Sequence, residues 1–304
     1  MKHAIDPKVD CVFKALLGTP ENSNLLVNFL NAMLGEHLAH PIQQVEILNP
    51  YNEREYLSDK LSIVDIKAQD SYQQTFQVEI QLSNYPGLPA RILYNWADIY
   101  SQQLKSGENY GELKATYAIW LLNENLYADD DYIRHFQVCD TKGRSLIDHC
   151  HITLVELKKF HTQVIHNNQD RWLQFFNQAE NFDDSVLPDW MNTQEMKQAM
   201  NTLSRFSEQD REYFAYQARQ EYIRQQNTIN YERERAEVAK LQAIKESKEA
   251  IKEAKEAIKE AIEKAKQEVA VAKQQTERIE QEKEDALAEL AELKKLLATQ
   301  KNQR

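Results

Sequence analysis

From about residue 226 to 298 the chain contains no glycine and no proline, and its composition collapses to Ala, Glu, Lys, Gln and Leu. These are strong helix formers, and neither of the residues that interrupt a helix is present to end one. Ile244, Ile251 and Ile258 each open a near-copy of one seven-residue unit. Alternating steps of four and three then continue through Ile262, Ala265, Val269, Ala272, Thr276, Ile279, Lys283, Ala286, Leu290, Leu293 and Leu297. That spacing is a heptad seam, thinned where Lys248, Lys255 and Lys283 occupy it. It predicts a coiled coil joining two copies of the chain as a homodimer. The competing outcome is a single charged helix held by Glu–Lys pairs three and four residues apart, each worth about 0.2–0.5 kcal/mol. In either case residues 229–304 stand as a unit of their own.

Ahead of the tail, two segments alternate apolar and polar residues at the period of a strand. In the first, Leu61 to Ala68, Val64 and Ile66 fall on one face, Asp65 and Lys67 on the other. In the second, Thr75 to Gln81, Phe76, Val78 and Ile80 share a face, leaving Gln77, Glu79 and Gln81 opposite. A hairpin pairing Val64 with Val78 and Ile66 with Phe76 keeps the apolar faces together and puts Asp65 one diagonal step from Glu79. Two carboxylates and an amide on one patch of sheet can hold a hard divalent cation. The alternative is a polar face that alternates only because it is wet.

The remaining pattern is α/β. Residues 21–35 read as a helix with an apolar stripe ended by Gly35, and residues 42–48 as an edge strand. Pro86 to Pro89 breaks the chain and opens a helix to about Lys105, closed by Gly107. Thr116 to Leu122 is a continuous apolar run suited to a buried central strand. Tyr132–Val138 and His151–Leu157 follow as strands, and residues 170–225 as aromatic-rich helices. Helix, strands, helix, strand is the order of a mixed central sheet flanked by helices. The expected division is a core over 1–165, a helical extension packed on it over 166–228, and the tail.

The 17 acidic and 17 basic residues from Glu232 onward cancel, so the whole net charge of −11 falls on the preceding part. An acidic body is a poor general binder of polyanions, so nucleic acid must be met by a local basic patch, a metal ion or a partner. No 18-residue apolar run exists and the N-terminus lacks the apolar centre of a signal peptide, which predicts a cytoplasmic protein with no membrane contact. Cys11, Cys139 and Cys150 form no disulfide framework. The His149–Cys150–His151 triplet near His135 and Cys139 is read as strand surface rather than a zinc site, since alternating residues point to opposite faces.

Asp65, a 13-residue gap and then Glu79-x-Gln81 resemble the PD-(D/E)XK signature in the form used by the Rpn family of recombination-promoting nucleases. Asp6 to Lys14 with Gly18 resembles that family's opening, Asn28 to Leu34 its first helix, and Arg91, Tyr94, Tyr100, Gln103, Gly107 and Tyr110 the helix after the motif. The resemblance spans roughly residues 1–225 and implies a restriction-endonuclease-like core. It also implies a Mg²⁺- or Mn²⁺-dependent DNA endonuclease linked to recombination or to mobile-element defence. In that reading Asp65, Glu79 and the Ile80 carbonyl ligate the metal, and an N-terminal acid, Asp10 in preference to Glu21, completes the site. The broader signature has a lysine where this chain has Gln81, and Lys67 on the same strand face can supply the missing charge. Arg91, Tyr94 and Lys14 are the candidate nucleic-acid contacts. A different class stays open beside it: a catalytically inactive scaffold of the same fold that assembles through its C-terminal coiled coil.

Overall fold

The computed structural model describes residues 2–50, 64–162, 164–182 and 187–301, with side chains to residue 294. Leu61 to Ile63, the start of the first expected motif strand, lie outside the described residues, as does the side chain of Leu297. The chain divides into two units, residues 1–227 and 228–304.

The first unit is built on a six-stranded sheet. Its helices and strands run α1 (Asp10–Leu17), α2 (Ser23–Leu34), β1 (Val45–Leu48), β2 (Ile66–Asp70), β3 (Thr75–Gln81), α3 (Leu88–Ser101), β4 (Thr116–Leu122), β5 (Ile133–Phe136), β6 (Cys150–Glu156), α4 (Asn168–Gln178) and α5 (Gln194–Glu208), and then the start of α6 (Asp210–Lys301). Strand order is β1-β2-β3-β4-β6-β5. The β3–β4 and β4–β6 pairs are parallel and the other three antiparallel. This is the mixed sheet flanked by helices that the order of elements predicts.

The two faces of the sheet differ. On one, Ile66, Ala68, Phe76, Val78, Tyr117 and Ile119 join Phe13, Phe29, Trp172, Phe176 and Leu203 from α1, α2, α4 and α5 in the main core. Phe29 meets the edge of Trp172 with ring centroids 5.6 Å apart, the arrangement aromatic quadrupoles favour. On the other face α3 lays Leu88 and Ile92 on Ala118, Trp120, Leu122, Ile152 and Leu154. Central β4 is buried along its whole length, as its unbroken apolar run requires. Alternation along β6 sends His151 to stack on Tyr117 and Cys150 to the α3 face.

Two expectations are corrected. The β2–β3 register pairs Ile66 with Val78 and Ala68 with Phe76, two residues from the expected pairing. The turn sets it: Asp70 Oδ1 accepts from the Tyr72 and Gln74 amides at 2.9 Å each, and Oδ2 from Gln74 Nε2 at 2.8 Å. Gln73 takes the left-handed conformation, φ 63°, and Gln69 pairs with Thr75. A slip of two leaves every side chain on its expected face but sets Asp65 squarely toward Glu79. Helix α3 ends at Ser101, short of the expected end near Lys105. Gln103 leaves it to bind the Lys114 backbone and Thr116 Oγ1, tying the chain to β4, and Gly107 instead makes a turn at φ 90°.

Gly18, the residue that caps α1, packs directly against β2. A Cβ there would lie 2.8 Å from the Lys14 carbonyl oxygen and 3.3 Å from Ile66 Cγ1. Neither backbone nor a buried isoleucine yields cheaply. Gly18→Ala is expected to lower stability by about 1–3 kcal/mol in urea denaturation, the usual cost of overpacking. An unchanged midpoint would contradict this packing.

Candidate functional site

Asp65, the residue just ahead of β2, and Glu79 of β3 are locked to each other through the backbone. The Asp65 amide donates to Glu79 Oε1 at 3.2 Å, and the Ile80 amide donates to Asp65 Oδ2 at 3.1 Å. Each carboxylate thus holds the strand that carries the other. Gln77, wholly buried one step before Glu79, donates from Nε2 to the same Oε1 at 3.2 Å. The polar column of β3 is therefore covered at Gln77 and Glu79, and the reading of a solvated face does not hold there.

Two cations compensate the pair. Lys14 of α1 places Nζ 3.2 Å from Asp65 Oδ1, and Arg91 of α3 places Nη2 4.0 Å from Glu79 Oε2. Arg91 also donates from Nη1 to Gln81 Oε1 at 3.3 Å and to the Tyr85 hydroxyl at 3.5 Å, and its guanidinium lies over the Trp120 ring, 5.4 Å from the centroid. Burial works against the Arg91 charge, yet the Tyr85 hydroxyl and the two carboxylates hold its affinity for a proton above the ordinary value. Gln81 is turned away from the water-facing role its position suggests: Nε2 donates to the Ser83 carbonyl at 2.7 Å.

Burial, and then the neighbouring Asp65 charge, pushes the Glu79 carboxyl up from 4.5 to about 8, with Arg91 pulling the other way. An isolated carboxylate is expensive to desolvate, so a neutral acid is the cheaper state until positive charge arrives. The donor set fits a hard divalent cation: two carboxylates, with the Ile80 backbone between them. Beside them, Gln77 Oε1 and Trp120 Nε1 are buried polar atoms without a hydrogen-bond partner among the described residues. Gln77, Tyr85 and Trp120 were not among the sequence candidates. Gln77 could have been found, since it shares the polar column with Glu79.

The other candidates fall differently. Lys67 lies opposite Gln77 on the same sheet face. Tyr94 is about half exposed on α3. Asp10 is not brought to the pair. Its Oδ1 accepts from Arg219 Nε of α6 at 2.7 Å, and among the described residues no three His, Cys, Asp or Glu side chains gather into a metal-holding group. The third acid expected from the N-terminal segment is thus engaged by a partner that the spacing along the chain could not show.

A family model described as PD-(D/E)XK nuclease family transposase matches residues 7–233, about three quarters of the chain. No curated protein and no solved structure matches.

The folded state retains a proton on Glu79 that the unfolded chain releases above about pH 4.5, so its contribution to stability is complete below that value. It is lost as pH rises through about 8. Between those two values, where the folded chain holds the proton that the unfolded chain has released, stability falls by up to about 1.4 kcal/mol per pH unit, by linkage. Glu79→Gln removes that titration. Urea denaturation of both proteins across this range is expected to show the wild type losing ground to Glu79→Gln as pH rises. Parallel curves would contradict a protonated Glu79.

Proposed function

The chain belongs to the PD-(D/E)XK nuclease family transposases, and on that premise we propose that it is a metal-dependent endonuclease that hydrolyses phosphodiester bonds of DNA. The observation that carries this reading is the reciprocal Asp65–Glu79 pair, two carboxylates joined through the backbone at the open end of a sheet hairpin. Asp65, Glu79 and the Ile80 carbonyl would hold Mg²⁺ or Mn²⁺. The ion would polarise the scissile phosphate and lower the pKa of a bound water.

The chain's own residues do the rest. Lys14 and Arg91, now set on the carboxylates, carry the positive charge that a phosphodiester needs once the ion has taken over the acids. Arg91 suits planar, two-point contact with phosphate oxygens and is steadied by Trp120 and Tyr85. Gln81 can orient a water only by hydrogen bonding, having no charge and no proton affinity to act as base. Lys67, on the same face, supplies the charge that the family's broader signature places at Gln81. Tyr94 offers a half-exposed ring on which a base could stack. Asp10 would join only by leaving Arg219.

We assign the activity to recombination or mobile-element defence in the cytoplasm, with two copies of the chain paired through α6. No helix of the described residues is long and apolar enough to cross a membrane.

One arrangement favours a second reading, an inactive scaffold of this fold: both carboxylates already have cations, and Asp10 is taken by Arg219. Plasmid cleavage with purified protein decides between the two. Nicking in Mg²⁺ or Mn²⁺, absent in Ca²⁺ or EDTA and reduced at least about 100-fold in Asp65→Ala and Glu79→Ala, is expected of removing a metal's ligands. Folded wild-type protein that cuts under none of these conditions would establish the scaffold, and cleavage that survives both substitutions would place the site elsewhere.

A further inference from the structure

Beyond Asn227, α6 runs as one helix to Lys301 with its apolar ridge open to solvent. Ile244 is 42% exposed, Ile258 59% and Val269 68%. An apolar ridge of this length exposed among the described residues calls for a partner, and the charges beside it say which and how. Taking Ile244, Ile251 and Ile258 as position d of the heptad, position e is Lys245, Lys252, Lys259, Lys266 and Lys273 in five successive heptads. Glu280, Leu287 and Lys294 complete that column. Position g holds Ser247, Ala254 and Ala261, then Glu268, Gln275, Glu282 and Glu289.

In an antiparallel pair of helices e faces e′ and g faces g′, whereas in a parallel pair g faces e′ of the following heptad. With lysine at six of eight e positions, every antiparallel register that overlaps four or more heptads sets lysine against lysine. A register centred on Lys259 does so at every step. The parallel in-register pair sets those lysines instead against Ser247′, Ala254′ and Ala261′, which are small and neutral. It also makes two opposite-charge pairs, Glu268 with Lys273′ and Glu289 with Lys294′. One like-charge contact, Lys240 with Lys245′, lies at the margin ahead of Ile244. Lys248 and Lys255 at position a meet their own copies, but their stems can lie along the isoleucine ridge and lift the ammonium groups past the small Ser247′ and Ala254′. Three lysines at a also suit two strands, where each stem can reach water, better than a more enclosed bundle.

We propose that two copies of this chain pair through α6 in parallel and in register, so that both enter the coiled coil at the same end. The inference rests on the pairing of two copies proposed above and is independent of the metal chemistry. Like-charge repulsion, rather than the apolar seam, sets the direction: the seam would tolerate either orientation, and the lysine column penalises one of them.

Disulfide mapping in the full chain tests it, with the exposed Cys139 replaced by serine and single cysteines introduced as Ile251→Cys or Leu293→Cys. These positions are 42 residues apart, or about 63 Å along a helix at 1.5 Å per residue. At most one of them can therefore lie on the two-fold axis of an antiparallel pair. Sedimentation equilibrium first fixes the number of chains. A dimer in which each variant oxidises to a self-linked dimer, while a mixture of the two gives no 251–293 link, is the expected result. A dimer in which either variant fails to self-link would overturn the parallel in-register direction and leave the pairing intact. A monomer, or an assembly of more than two chains, would overturn the proposal together with the pairing. Neither outcome bears on plasmid cleavage, so the nuclease reading stands or falls separately.

Discussion

The first unit turns on two acids that hold each other's strands. Because the Asp65 amide binds the Glu79 carboxylate and the Ile80 amide binds the Asp65 carboxylate, the open end of the β2–β3 hairpin closes through side chains instead of ladder bonds alone. The consequence is electrostatic. Two carboxyl groups are placed together on a sheet face with little water, and something positive or a proton must answer them. Lys14 and Arg91 are that answer in the structure, and burial beside Asp65 pushes the Glu79 carboxyl up to about 8, toward holding a proton. The same arrangement is what makes a divalent cation a natural replacement.

The surrounding fold serves this constraint. Gly18 lets α1 come against Ile66, which brings Lys14 within reach of Asp65. Helix α3 packs on the other sheet face, and from there Arg91 reaches Glu79, Gln81 and Tyr85 with its guanidinium over the Trp120 ring. The opposite face carries nearly all the aromatic packing, so stability is concentrated away from the site. Such a separation lets a buried carboxylate such as Glu79 be carried without endangering the fold.

Much of this was legible in the residues. Period-two alternation in Thr75 to Gln81 fixed which side chains share a face, and that survived a change of register because a slip of two preserves parity. The register itself was not legible, since it depends on how Asp70 gathers the amides of Tyr72 and Gln74 around Gln73. The end of α3 was missed for a similar reason: Gln103 abandons the helix for a tertiary contact with β4. Asp10 was assigned to the site by resemblance, and its partner Arg219 lies 209 residues away, beyond anything local spacing can signal. The strand period puts Gln77 beside Glu79, but nothing in the residues alone shows that it is buried against that carboxylate. The continuous helix of the tail, by contrast, follows directly from a stretch without helix breakers.

The most direct test is crystallographic: soak crystals of the wild-type protein and of Glu79→Ala in Mn²⁺ and collect data where manganese scatters anomalously. A single peak bounded by the Asp65 and Glu79 carboxylates and the Ile80 carbonyl, with Lys14 and Arg91 displaced from the acids and no peak in the variant, is what this account predicts. A wild-type site in which both cations stay on their carboxylates and no manganese appears between them would contradict it.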